Sequence, residues 1–429
     1  MKNSIRELKT FLILWSTQSL SQLGSAMTAF ALTLWVYDQT GSALQTALMS
    51  VCSYAPYVLM SIFAGALSDR WDKKRVMLVC DTLAACCTVI VLALLRSDLL
   101  RPGHIYLLNA INGLMNTVQQ PASEVAMTAI VPRAHYQKVG GLKALSNSLV
   151  TILHPVLATA LYAFGGMGAV ICVDLGTFAA AFIALALFVA IPAVEQSDAE
   201  RQPVLKAAGE GLAFLRQNGL ILTLILFLAA VNLVASAFDA ALPAYVLPRE
   251  NGGEAVLGAV MSAAGVAMLA GSLLATVLPA PKDRVHVIWL AMLISLGTEN
   301  YILAFSRSPV MWCMAQAIGW VTVPVMNANL DAVMRSNIPT AMQGRVYACR
   351  NTLQFFTIPV GFFLGGAMVD KVCEPVMAAH GQGVLAAAFG TGKGAGAAMM
   401  MFILGVAGTA ICLVFGGILR QYRQRAADK

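Results

Sequence analysis

Gly65-Ala66-Leu67-Ser68-Asp69-Arg70-Trp71-Asp72-Lys73-Lys74-Arg75-Val76-Met77 gathers six charged side chains into one turn of a chain whose charged residues amount to 11%. On both sides the sequence becomes apolar. Residues 44–67 and 76–95 each supply the roughly 20 mostly apolar residues that cross a hydrocarbon core. The stretch therefore reads as a charged turn between two membrane helices. Its four basic residues place it in the cytoplasm, because short Lys- and Arg-rich loops stay inside.

The same pattern runs through all 429 residues, of which 59% are hydrophobic. Soluble domains carry roughly 25% charged residues, and the mean hydropathy here is +0.74. These values exclude a soluble enzyme, a disordered chain and a secreted disulfide scaffold. A window of about 19 residues finds spans at 11–37, 44–67, 76–95, 104–130, 140–163 and 167–190. It finds six more at 219–247, 255–280, 286–305, 309–333, 345–370 and 395–419. The reading is an all-α integral membrane protein of twelve transmembrane helices in two pseudo-symmetric bundles. Residues 1–190 form the first bundle, 191–218 a cytoplasmic linker with an amphipathic helix, and 219–429 the second.

With the N-terminus inside, 22 of the 28 Lys and Arg residues fall in cytoplasmic segments. The six outside are Arg96, Arg101, Arg249, Arg307, Lys371 and Lys393. That asymmetry puts both termini in the cytoplasm of a multi-pass protein of the bacterial inner membrane. The sequence pI of about 9.0 then reports topology and contact with anionic lipid, not nucleic-acid binding. The first span is too long for a signal-peptide core and is read as an uncleaved helix. Nine cysteines, mostly in apolar runs, show no metal-ligand or disulfide spacing, and no cofactor motif occurs. The Gly-rich stretch 371–394 reads as a mobile outer loop.

The halves look duplicated. The turn Ser68–Arg75 has an echo in Pro281-Lys282-Asp283-Arg284, and Pro132 and Pro155 are matched by Pro339 and Pro359. Duplicated six-helix halves predict a substrate site near the midplane between them.

The charged turn resembles the loop motif G-x-L-[AS]-D-[RK]-x-G-[RK]-[RK]-x-x-[LIM] of the major facilitator superfamily. Gly65, Asp69, Arg70, Lys73, Lys74 and Arg75 fall on the pattern, and Asp72 stands where it has Gly. Further matches are Pro121-Ala122, Gly211 to Asn218, Gly344-Arg345-Val346, Pro359-Val360-Gly361 and Gly365-Gly366. Together they are similar to the macrolide-efflux and enterobactin-exporter branch. The resemblance implies that helices 1, 4, 7 and 10 line a central cavity. It also implies that Gly65 to Arg75, with Gly344 and Arg345, form a conformational switch. One departure is His154-Pro155-Val156-Leu157-Ala158-Thr159, which keeps the proline but loses the glycines of the antiporter signature.

At 100° per residue, polar side chains form a stripe on those same four helices. They are Gln18, Ser21, Gln22 and Ser25; Asn109, Asn112, Asn116, Gln119, Gln120, Ser123 and Glu124; Asn232, Ser236 and Asp239; and Gln316, Trp320, Asn327 and Asp331. Single amides glue helices together, whereas four aligned stripes predict a wet substrate cavity.

Six carboxylates lie within spans: Asp81, Glu124, Asp174, Asp239, Glu299 and Asp331. An intramembrane carboxylate is costly and marks a functional or paired site. Asp81 and Asp331 lie near span ends, where Arg70 and Arg335 offer partners. Asp174 and Glu299 stand on helices that the resemblance makes outer supports. Asp239 and Glu124 lie on the stripes with no basic residue within a helical turn, and are the proton-coupling candidates. His154 reads as structural, and the 21 methionines as adaptable apolar surface.

No nucleophile–base pair and no Walker A motif is found, so the chain is not read as an enzyme or an ATP-driven pump. The expectation is a monomeric secondary transporter whose partners are a small molecule, protons and membrane lipid. It would export amphipathic compounds of macrolide, drug or siderophore kind by alternating access. The rivals are proton-coupled uptake, lipid translocation, and a membrane sensor on the same scaffold.

Overall fold

Asp72 shows how the chain reverses between membrane helices. The helix α2 (Ala43–Arg70) ends just before it and α3 (Lys73–Arg96) begins just after it. Its φ of −59° needs no glycine, and its carboxylate accepts from the Arg75 backbone N–H at 2.8 Å. The residue that departs from the motif is thus an N-cap, which satisfies a donor orphaned at a helix start. Asp283 repeats the arrangement on the His286 N–H, also at 2.8 Å, where α10 (Arg284–Phe305) begins. The echo detected in sequence is an echo of capping geometry.

This computed structural model describes residues 8–132, 135–191, 204–339 and 342–427, without the side chains of 61–70, 128, 136–138, 204–205, 207 and 423–427. No strand occurs among the described residues. The chain begins with α1 (Lys9–Thr40), and α4 (Pro102–Ile130) follows α3. Next comes a helix over Tyr136–Ile183, broken at Gly165 and Gly166. Gly166 has φ 62° and ψ −167°, a conformation that side chains with a Cβ avoid. Its arms are α5 (136–164) and α6 (167–183), and α6 runs on through a π turn, Ala184–Phe188. After α7 (Val204–Gln217) come α8 (Gly219–Val246), α9 (Glu254–Val277), α10 and α11 (Pro309–Asn337). The chain ends with α12 (Gln343–Phe355), α13 (Thr357–Met368), α14 (Glu374–His380), α15 (Val384–Phe389) and α16 (Ala395–Ala427).

Eight described segments are long and apolar enough to cross a membrane. One of them, Val139–Phe188, has 50 residues. Unbroken, it would measure about 75 Å against a core of about 30 Å, so the glycine break makes it two crossings. With α1, α2 and α4 the count reaches twelve. α1 and α4 are not among the apolar eight, and both carry the amide stripes read from the sequence.

Two stretches differ from the sequence reading. The eleventh span is two helices, α12 and α13, because Pro359 lacks an N–H and its ring crowds the preceding turn. Residues 371–394 are no bare loop. They hold most of a π turn, Val369–Cys373, then α14 and α15. Arg307 donates to the Ala386 and Ala387 carbonyls at 3.1 and 2.8 Å, and Arg249 to Phe389 and Gly394 at 3.2 and 3.3 Å. The Glu374 carboxylate accepts from the Gly394 and Ala397 N–H groups. Phe389 stacks on Phe305 and packs against Phe402. Burial works against the Arg249 charge and lowers its pKa, which those carbonyls and the Tyr245 ring 4.4 Å away offset.

Contacts divide the chain into two units, residues 1–36 with 52–204, and residues 37–51 with 205–429. In the first, α3 packs on α4. Leu14, Met77, Ala126, Leu185 and Val189 form a fully buried cluster there. In the second, α8 packs on α13 and α16, and α11 on α9 and α10. Tyr245 ties α8 to the end of α10, donating to the Leu303 and Ser306 carbonyls at 2.5 and 2.9 Å while its ring meets Trp312 edge-on.

Candidate functional site

In the first unit every intramembrane carboxylate has a partner. Asp81 on α3 accepts from the Gln18 and Gln119 amides, at 3.3 and 2.5 Å. Two of the stripe residues thus converge on it from α1 and α4. Arg70, its expected partner, lies outside the described side chains. Asp174, buried on α6, accepts from Ser25 at 3.0 Å. Ser21, Ser25, Thr88, Asp81 and Asp174 line a chamber of about 50 Å³, room for a water or two. Glu124 is exposed and ion-paired with Lys143. The sequence reading searched along its own helix and found no base; Lys143 reaches it from α5.

Other candidates in this unit differ in accessibility. Gln22 and Asn116 are exposed, and Asn112 is half-buried with its Oδ1 unpartnered among the described residues. His154 donates from Nδ1 to the Val150 carbonyl, 2.9 Å away, and meets Phe30 edge-on, a structural setting.

The second unit is different. From Ser236 to Val246 every residue of α8 is buried except Asp239, which is exposed. Asp239 makes no hydrogen bond or ion pair with a described residue. An acid alone on a buried stretch of membrane helix must face a wet surface, since hydrocarbon would exact several kcal/mol for its charge. Glu299 on α10 is buried, and its Oε1 has no partner among the described residues. Asp239 and Glu299 both belong to the second unit.

Around them the stripe residues divide. Asn232 is half-buried and donates to the Gln354 carbonyl at 3.1 Å. Ser236 is buried, donating to the Asn232 carbonyl of its own helix, and Gln316 is buried too. Both are thus held in helix packing. Trp320 is half-buried and Asn327 exposed on α11. Asp331 pairs with Arg350 at 3.7 Å, where Arg335 had been the expected base. Arg350 also donates to Gln354 at 3.0 Å. The sequence signal that could have found this pair is the placement of both residues near the ends of adjoining helices.

In the switch loop, Gly65, Asp69 and Arg70 lie outside the described side chains. Lys74 donates to the Ala186 and Val189 carbonyls at 3.0 and 2.7 Å, closing the end of the π turn after α6. Arg75 donates its backbone N–H to the Asp72 cap, and Lys73 is half-buried. In the other half, Gly344 is exposed and Arg345 pairs with Glu210 on α7. Gly211 lets α7 approach there, because a Cβ would meet the Arg345 carbonyl oxygen at 2.7 Å. Cys349 adds a contact to the Ala208 carbonyl at 3.3 Å. No cluster of metal-ligating side chains occurs among the described residues.

Twelve membrane helices, a charged loop motif and polar stripes describe a solute carrier, and the sequence profile of the Major Facilitator Superfamily matches residues 14–362. The chain belongs to that superfamily. It is a multi-pass membrane transporter for a small-molecule substrate, not an enzyme. Macrolide efflux protein A of Streptococcus pyogenes is 23% identical over 365 residues, covering 84% of this chain and 90% of that protein. Multidrug efflux pump Tap of Mycolicibacterium fortuitum is 25% identical over 360 residues, covering 81% and 86%. Among solved structures, the nucleoside transporter NupG superposes with a TM-score of 0.71 at 12% identity, covering 95% of this transporter and 98% of that chain. A bacterial homologue of ferroportin in an inward-facing state gives 0.68 at 14% identity, covering 96% and 99%. At such identities the structural likeness shows the fold.

Proposed function

We propose that this transporter exports amphipathic small molecules of macrolide or drug kind from a bacterial cytoplasm, driven by protons carried on Asp239. The exposed, unpaired acid in the buried run of α8 carries the reading. Such a group binds a proton when its surroundings dry and releases it when water returns, because low dielectric disfavours the charged form. Efflux relatives of similar length support the direction and the substrate class. Glu124, already neutralised by Lys143, serves charge balance on α4 and not proton carriage. The bundles 1–190 and 219–429, joined by the linker 191–218, alternate access as a monomer, with both termini on the cytoplasmic side of the inner membrane.

The test is energised efflux of fluorescent and macrolide compounds from cells expressing wild type or Asp239→Asn at equal level, with and without an uncoupler. The expected result is extrusion that the uncoupler abolishes and the substitution reduces by about tenfold or more. Undiminished efflux by Asp239→Asn overturns the assignment to Asp239. Accumulation inside the cells, or flipping of labelled lipid in vesicles, would replace export by uptake or lipid translocation.

A further inference from the structure

We propose that Glu299 is a second proton-carrying carboxyl that works with Asp239, so that the coupling groups of this transporter lie together in its second unit. The inference rests on the proton-driven reading above and extends it to a residue on a helix that the resemblance makes an outer support.

Glu299 stands at the sixteenth position of a 22-residue crossing, with 5% of its surface accessible. Its Oε1 meets no donor among the described residues, although buried side-chain oxygens in folded proteins are nearly always hydrogen-bonded. An acid retained only to glue helices would use both oxygens. The neighbouring helix makes a place for the group: a Cβ on Gly319 of α11 would lie 2.5 Å from the Glu299 Cδ and 3.1 Å from its Cβ. Glycine at 319 is therefore what lets a carboxyl occupy the α10–α11 contact.

No base among the described residues reaches the site. α8 meets the end of α10 through Tyr245, and the helices that pack most on α10 are α11, α16 and α15. Their ionisable side chains are Cys313, Asp331 and Arg335 on α11, and Cys412, Arg420, Tyr422, Arg423 and Arg425 on α16; α15 has none. The residue whose charge bears on Glu299 is Asp239. A dry, unpaired carboxylate costs several kcal/mol, and two interacting carboxylates resist ionising together. A carboxyl in that setting is thus suited to carry a proton. In the proposed cycle each carboxyl forms one O–H bond with a proton taken from water on one side. That bond breaks with release to water on the other, and no further bond changes. Because the groups interact, their titration belongs to the pair and not to either residue.

The first experiment needs no substrate. Infrared difference spectra of the purified full-length transporter, titrated through the neutral range, report protonated carboxyls by their C=O stretch. Wild type is expected to show a carboxylic-acid band that disappears as pH rises. Glu299→Gln should remove part of it, and Asp239→Asn should shift the midpoint of the remainder. A Glu299 band that does not respond to pH makes the group a permanently neutral structural acid and overturns the proposal.

The second experiment uses vesicles reconstituted with each variant and labelled erythromycin as the probe. Glu299→Gln should lose uphill, gradient-driven transport by about tenfold or more while keeping exchange of labelled for unlabelled probe within about twofold. Uphill transport that survives overturns the proposal, as does equal loss of both activities, which is what a merely structural role produces. Wild-type transport indifferent to the uncoupler defeats the proton-driven reading itself, and Asp239→Asn is then indifferent too.

Discussion

Removing Asp370 should loosen the start of α2. The Asp370 carboxylate accepts from the Ser42 hydroxyl at 2.5 Å and from the Ala43 and Leu44 backbone N–H groups at 3.0 and 2.9 Å. Ser42 itself accepts from the Gln45 N–H at 3.0 Å. It is the local cap, and Asp370 supplies the acceptors that one serine cannot. In Asp370→Ala, Ser42 still covers Gln45, but two first-turn donors lose their partner. A helix cap is worth about 1 kcal/mol, hydrogen bonds to an ionised acceptor about 1.5–3 kcal/mol, and a negative charge at a helix start about 0.3–1 kcal/mol. These contributions overlap, so the expected loss is about 2–4 kcal/mol. Asp370→Asn keeps an acceptor and removes the charge, and should lose about half as much. Residues 42–44 and 370 both belong to the unit formed by 37–51 and 205–429, about 240 residues. If that unit melts cooperatively, about 3 kcal/mol lowers its midpoint by about 6–12 °C. Cys373 and Cys412 are free and buried in the same unit, so a fluorogenic thiol dye follows melting of purified protein in detergent. A midpoint for Asp370→Ala within about 1 °C of wild type would refute the reasoning. So would an asparagine variant as damaged as the alanine one.

Three further outcomes follow from the same accounting of partners. Lys74→Ala leaves the Ala186 and Val189 carbonyls without their donor and should cost about 1–3 kcal/mol, read as a lower melting midpoint. Tyr245→Phe removes the hydroxyl that bridges the Leu303 and Ser306 carbonyls. It should cost about 1–3 kcal/mol while leaving the Trp312 ring contact, so tryptophan emission should keep its native maximum below the midpoint. Glu124→Gln breaks an exposed ion pair with Lys143 worth at most about 1 kcal/mol. Its midpoint should stay near wild type, and raising salt should change it less than it changes wild type.

Hydropathy makes the crossings legible because the bilayer demands about 20 apolar residues wherever the chain passes. The reversal between α5 and α6 was equally visible, since Gly165-Gly166 interrupts an apolar run with the two residues best suited to a turn. Partners across helices were not. Glu124 and Lys143 stand 19 positions apart, and Asp81 gathers amides from positions 18 and 119. No periodicity within one helix encodes which faces meet. The segment 371–394 misled for a related reason. Its glycines and short apolar runs read as loop, whereas Arg249, Arg307 and Phe305 hold it from other parts of the chain.

The distribution of partners among the acids bears on mechanism more than their number does. Asp81, Asp174 and Glu124 in the first unit hold hydrogen bonds or a base, and so do Asp370, Glu374, Glu210 and Asp331 in the second. Each of those carboxylates is thus met by donors or a cation supplied by its neighbours. Asp239 and Glu299 hold neither among the described residues. A carrier driven by protons needs an acid whose protonation changes cheaply as the surface around it wets and dries. Sequence position alone ranked Glu124 beside Asp239 and set Glu299 among the supports. The proposed reading reverses the order of the two glutamates, because partner geometry separates acids paired with neighbours from those without a partner among the described residues.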